Sequence, residues 1–84
     1  MVTIYGFNGC PYCAELKEIL TNEGIEFRDV DIQLDENVEE FEKVRKISNA
    51  DEVPIVKVGN QLLIPNVSFK SITEAAELTK KFLA

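Results

Sequence analysis

The chain has 84 residues, 45% of them hydrophobic, a formal net charge of −6 and no histidine. That length is one domain, close to the size at which a single hydrophobic core barely suffices. The acidic balance disfavours nucleic acid as a direct partner. Without histidine, Cys–His catalysis and histidine-ligated metals are excluded, and two cysteines are too few for a multi-bridge disulfide framework. No apolar stretch approaches the ~20 residues of a membrane span. Residues 2–5 are too short, and residues 6–13 too polar, for a signal peptide. The expectation is a soluble, cytoplasmic monomer of one domain, residues 1–84, that binds neither membrane nor nucleic acid.

In chain order, Val2-Thr3-Ile4-Tyr5 reads as a strand and residues 6–9 as a loop containing Gly6 and Gly9. Residues 11–23 read as a helix. Pro11 suits the first helical position, where its missing N–H costs nothing. Tyr12, Leu16, Ile19, Leu20 and Glu23 fall at helical spacing, and Gly24 is a natural stop. Residues 25–32 are β-like, with Ile25, Phe27, Val30 and Ile32 packing inward. Asp35 is expected to cap a second helix running to about residue 47, with Val38, Phe41 and Val44 on one stripe.

Residues 55–58 and 62–64 read as strands joined by the tight-hairpin signal Gly59-Asn60. A last helix runs to about residue 83, with Ile72, Ala75, Ala76, Thr79, Phe82 and Leu83 on one face. Two starts are open for it: a Ser71/Glu74 capping box, or Ser68 with a Val67–Ile72 staple. The order β-α-β-α-β-β-α predicts an α/β fold with a four-stranded mixed sheet flanked by three helices, placed on both faces.

Chemistry concentrates in Cys10-Pro11-Tyr12-Cys13, which holds both cysteines. Cys10 should stand at the N-cap of the first helix, where unpaired N–H groups and the helix dipole stabilise a thiolate. Its pKa is expected to fall from ~8.5 to between ~3.5 and ~7.5. Cys13, one turn further in, should be the more buried thiol and lies within bridging reach.

A low pKa does little for attack. At a pKa of about 5 the thiolate fraction at neutral pH rises roughly 30-fold, while nucleophilicity falls roughly 40-fold for a Brønsted slope near ~0.45. The larger benefit is Cys10 as a leaving group when a second thiol resolves a mixed disulfide. Two competing readings are an inert buried pair and a metal site. Zinc normally takes four ligands, so only a second chain or added thiols could complete one.

Val53-Pro54 precedes the third strand. Proline there is either a plain strand start or a cis bond, which would leave the Val53 backbone free to pair with an extended thiol peptide lying across Cys10.

With Cys10-Pro11-Tyr12-Cys13, Val53-Pro54 and Val30-Asp31-Ile32 in this element order, the chain resembles the dithiol glutaredoxins, the glutathione-linked branch of the thioredoxin fold. The resemblance covers essentially the whole chain. It implies that Cys10 is the nucleophile and Cys13 the resolving cysteine. It also implies that Tyr12, Val53 and Pro54 line a glutathione groove, and that glutathione is a co-substrate with no cofactor bound.

The departures are specific. Phe7 stands about where the family usually has a lysine near a glutathione carboxylate. The segment Ile64-Pro65-Asn66-Val67-Ser68-Phe69 replaces a Gly-Gly pair and a following acidic residue, and leaves Ser68 as a weaker acceptor. Asp51 and Glu52 put negative charge beside the groove, which Lys43, Arg45 and Lys46 either offset or face away from as a solvated helix surface. Phe7 and Phe69 are expected either to form an apolar rim suited to a protein partner or to pack ordinarily.

The leading expectation is a glutathione-linked thiol–disulfide oxidoreductase that reduces protein disulfides or glutathione mixed disulfides through Cys10 and Cys13. The alternative is a thioredoxin-like electron donor, for example to ribonucleotide reductase, recycled by a flavin reductase. A third reading is a binding module for an iron–sulfur cluster, which the rigid Pro11 loop disfavours.

Overall fold

The structure is a computed structural model and describes residues 1–50 and 52–83. Its strands are β1 (Val2–Gly6), β2 (Arg28–Asp31), β3 (Ile55–Val58) and β4 (Gln61–Leu63). Its helices are α1 (Pro11–Asn22), α2 (Val38–Ser48) and α3 (Ile72–Leu83). The strands form one sheet in the order β2-β1-β3-β4. β1 pairs in parallel with β2 and antiparallel with β3, and β3 and β4 form an antiparallel hairpin. The expected mixed four-stranded α/β architecture is present, and it is the thioredoxin-like arrangement that the resemblance implied.

β1 lies inside the sheet, and all five of its residues are buried. Its alternating side chains serve two cores. Val2 and Ile4 pack with Leu16 and Leu20 of α1, Val56 and Val58 of β3, and Ile72, Ala75 and Ala76 of α3. On the opposite face Tyr5 packs with Val30, Ile55 and Val44 of α2. The period-two alternation of side-chain direction sends one set of residues toward α1 and α3 and the other toward α2.

α1 ends as the sequence predicts. Gly24, at φ 72°, donates its N–H to the Thr21 carbonyl (3.1 Å), and the Ile25 N–H reaches the Leu20 carbonyl (2.9 Å). This pair of bonds is the Schellman stop. Of the two proposed starts for α3, the one at Ser71 forms, with the Glu74 side chain bonding one residue upstream of the usual box partner. Ser71 Oγ accepts the Glu74 N–H (3.1 Å), and Glu74 Oε1 accepts the Lys70 N–H (2.6 Å). Val67 is 78% exposed, so no staple with Ile72 exists.

Five local expectations need correction. Asp35 does not cap α2. It begins a 3-10 turn, Asp35–Asn37, and the Asn37 side chain donates to the Asp31 carbonyl (2.8 Å) instead of capping. That turn rotates Val38 outward, leaving Phe41 and Val44 as the inward stripe. Ordered β2 pairing begins only at Arg28, and β4 sits one residue earlier than expected. At the end of α3, Phe82 and Leu83, expected on the buried face, are exposed. None of the helices, among the described residues, is long and apolar enough to cross a membrane.

A polar brace ties α2 to the sheet. The buried Tyr5 hydroxyl donates to Glu40 Oε2 (2.7 Å), and Arg28 of β2 donates to the same oxygen. Burial and then the Glu40 carboxylate push the Tyr5 phenol up to about 12. Because the folded state favours the neutral phenol, this contribution is complete below about pH 10, the unfolded value, and disappears between about pH 10 and 12.

Two predictions follow from this packing. Leu20→Ala, at a fully buried site, should cost about 2–5 kcal/mol in urea unfolding, whereas Ile47→Ala, at a 77% exposed site, should change stability by less than about 0.5 kcal/mol. Tyr5→Phe should cost about 1.5 kcal/mol at neutral pH and should remove the extra alkaline loss of stability, as read from unfolding curves between about pH 9 and 12.

Candidate active site

The site begins where β1 ends. After Gly6 the chain turns through Phe7-Asn8-Gly9, with Gly9 at φ 98°, and enters α1 with Pro11 at its first position. Cys10 is the N-cap, in extended conformation (φ −82°, ψ 113°). Its Sγ accepts the Cys13 N–H at 3.2 Å, and its carbonyl accepts the Ala14 N–H at 3.1 Å. An N-cap sulfur receiving a helix N–H is the arrangement that favours thiolate over thiol.

Cys10 and Cys13 stand at disulfide-bonding distance with a Cα–Cα separation of 5.3 Å. Cys13 is the more enclosed, 1% exposed against 6% for Cys10. Cys13 is the more buried thiol, as the sequence predicts.

The sequence reading took Gly6 as plain loop, and the structure assigns it a packing role. A Cβ at Gly6 would stand 2.6 Å from Cys13 Sγ and 3.1 Å from its Cβ. Cys13 therefore packs directly on the backbone at the end of β1. A glycine closing a buried strand is the available sequence signal for such a close approach.

Beside the cysteine pair runs a groove of about 300 Å³. Tyr12, Val53 and Pro54 line it together, and the Val53-Pro54 peptide is cis. Tyr12 is 63% exposed, turned away from the core face of α1 and onto this groove. Three segments complete the lining: Glu52, the Pro65-Asn66 turn, and Phe69 through Ile72 at the start of α3. Ser68, expected to replace the missing acid, is not among the lining residues. Its N–H is engaged with the Ile64 carbonyl (2.8 Å). Lys70 and Ser71 bring polar groups to that end of the groove instead.

The proposed aromatic rim does not form. Phe69 is only 4% exposed and belongs to the main core. Phe7 borders a separate depression with Asn8, Lys17, Asp29 and Asp31. Glu52 does line the groove, as expected, while Asp51 lies outside the described residues. Lys43, Arg45 and Lys46 are exposed on α2 and absent from the groove lining. Among the described residues, no group of three or more Cys, Asp or Glu side chains is placed to hold a metal ion.

The Gly6–Cys13 contact makes a specific prediction. Gly6→Ala should destabilise the oxidised protein by about 1–3 kcal/mol in urea unfolding. In a Cys13→Ala background the penalty should shrink, because the tightest contact, at 2.6 Å, is with the sulfur. An undiminished penalty would place the clash elsewhere.

Comparison with known proteins agrees with this geometry. The sequence profile of the Glutaredoxin family matches residues 2–63. An uncharacterised glutaredoxin-like 8.6 kDa protein encoded in a rubredoxin operon of Clostridium pasteurianum is 30% identical over 64 residues, covering 76% of this chain and 83% of its own. The crystal structure of a glutaredoxin from Archaeoglobus fulgidus superposes with a TM-score of 0.70 at 28% identity, over 98% of this chain and 84% of that one. NrdH-redoxin from Escherichia coli, a glutaredoxin-like protein described as having a thioredoxin-like activity profile, shares the fold. Its TM-score is 0.59 at 24% identity, over 73% of this chain and 76% of its own. The redox dithiol at the N-terminus of α1, the sheet order and the family match together establish that the chain belongs to the glutaredoxin family.

Proposed function

We propose that the protein reduces protein disulfides and glutathione mixed disulfides through Cys10 and Cys13 and is returned to the dithiol by glutathione. The observation that carries this reading is the convergence of Tyr12 and Val53-Pro54 on one groove beside the cysteine pair. Lys70 supplies a cation to that groove.

In the forward reaction the Cys10 thiolate attacks one sulfur of the substrate disulfide. A Cys10–substrate disulfide forms, and the other substrate sulfur leaves and takes a proton. Cys13, as thiolate, then attacks Cys10 Sγ and releases the second substrate thiol. Two electrons and two protons have then passed to the substrate, leaving the Cys10–Cys13 disulfide.

Two glutathione molecules reverse the change. The first attacks Cys10 Sγ and frees Cys13. The second attacks the glutathione sulfur of the mixed disulfide, giving glutathione disulfide and Cys10 thiolate. In that last step Cys10 is the leaving group, where a stabilised thiolate helps most.

A second reading rests on its own observations. Phe7 stands in place of a loop lysine, and Glu52 adds negative charge to a groove that would receive a tripeptide carrying two carboxylates. Both features favour a thioredoxin-like donor, to a partner such as ribonucleotide reductase, recycled by a flavin reductase.

Side-by-side turnover with the two reducing systems separates the readings. Under the glutathione reading, Cys13→Ser keeps most of its activity on a small glutathione mixed disulfide, since Cys10 alone completes that cycle, and loses reduction of protein disulfides. Activity with the flavin reductase alone, abolished by Cys13→Ser on every substrate, would establish the second reading instead.

A further inference from the structure

The groove beside Tyr12 does not end at Pro54. A second depression of about 240 Å³, bordered by Ser48, Asn49, Ala50, Ile64 and Val67, shares Glu52, Pro65 and Asn66 with it. The Glu52 side chain therefore stands where the two meet, immediately before Val53. We propose that Glu52 is a specificity-determining residue, held in place by Asn66, that favours partner segments carrying a positive charge next to the reactive cysteine. This inference rests on thiol–disulfide exchange at Cys10 and not on which reductant recycles the protein.

Three observations support it. First, the carboxylate is positioned. Glu52 Oε2 accepts from Asn66 Nδ2 at 2.6 Å. Asn66 is itself held in a left-handed turn (φ 65°), with its N–H on the Phe69 carbonyl at 2.8 Å. A group already fixed loses less freedom when a ligand docks on it.

Second, its charge is not neutralised. Among the described residues four ion pairs form, Lys17–Asp29, Arg28–Glu40, Arg45–Glu42 and Lys80–Glu23, and Glu52 is in none of them. Asn66 contributes a dipole and no charge.

Third, in the groove beside Tyr12 the residues next to Glu52, apart from Asn66, are apolar: Val53, Pro54 and Pro65. Lys70 lines the α3 end of the groove, where Glu74 is drawn close by its bond to the Lys70 N–H. An extended segment with apolar residues and one lysine or arginine fits this pattern. An anionic segment meets repulsion from Glu52 and from a chain of net charge −6.

The test uses two short disulfide peptides that differ only in lysine or glutamate beside the reactive cysteine, with dithiothreitol as the recycling thiol so that no biological reductant is presupposed. The wild-type protein should favour the lysine peptide by about threefold to fivefold in kcat/KM, as expected for one exposed charge pair. The preference should lie in KM and shrink as salt is raised. Glu52→Gln should bring the ratio close to one. Asn66→Gly, which tolerates the positive φ but removes the amide, should give an intermediate ratio. Equal use of both peptides by the wild type, or an undiminished preference in Glu52→Gln, overturns the charge selection and leaves the oxidoreductase reading standing. No acceleration of either peptide's reduction over dithiothreitol alone overturns both.

Discussion

The contact between Cys13 and the bare backbone of Gly6 sets the geometry of the whole redox site. It joins the end of a buried strand to the first turn of α1 with no side chain between them. Because β1 is held in register by β2 on one side and β3 on the other, the place where Cys13 rests is not adjustable. Cys13 is thereby enclosed, and Cys10, at the N-cap one turn earlier, is the sulfur nearer solvent. The difference in exposure between the two thiols thus follows from packing. The two cysteines have the same intrinsic chemistry, and only their positions against the strand differ.

Around this fixed pair the groove is assembled from segments far apart in sequence. Tyr12 comes from α1, Glu52 through Pro54 from the approach to β3, Pro65 and Asn66 from the turn after β4, and Phe69 through Ile72 from the start of α3. Each segment is anchored locally. The Ser71 cap starts α3, and the turn at Asn66 is closed by backbone bonds from Asn66 to Phe69 and from Val67 and Ser68 to Ile64. The apolar floor belongs to the core, since Phe69 is buried with Ile72, Ala75 and Ala76. The polar edge of the groove, Glu52, Asn66, Lys70 and Ser71, is exposed and stands apart from this core.

On the other face of the sheet, Tyr5, Glu40 and Arg28 connect β1, α2 and β2 through one carboxylate. Tyr5 lies next to Gly6, so the brace bears on the same strand that carries Cys13. A buried phenol needs an acceptor, and Glu40 supplies one while Arg28 balances its charge. The face covered by α2 has the smaller core, and this polar connection holds the helix where fewer apolar contacts do.

The sequence alone determined the reaction class and the architecture. The spacing of Cys10 and Cys13 around Pro11, the β-like run at residues 2–5, the Gly24 stop and the Gly59-Asn60 hairpin are local signals, each readable within a few residues. Local signals failed where two polar groups compete. Asp35 was a sound cap candidate, but Asn37 bonded to Asp31, six residues back, and the helix start moved with it. Tertiary structure alone decided that Phe69 is core and Phe7 lies outside the groove. It also decided that Tyr12 turns onto the groove, that Ser68 stays outside its lining, that Val53-Pro54 is cis, and that Gly6 leaves space for a sulfur. These outcomes depend on which distant surfaces meet across the sheet, and residue spacing along one chain does not encode that.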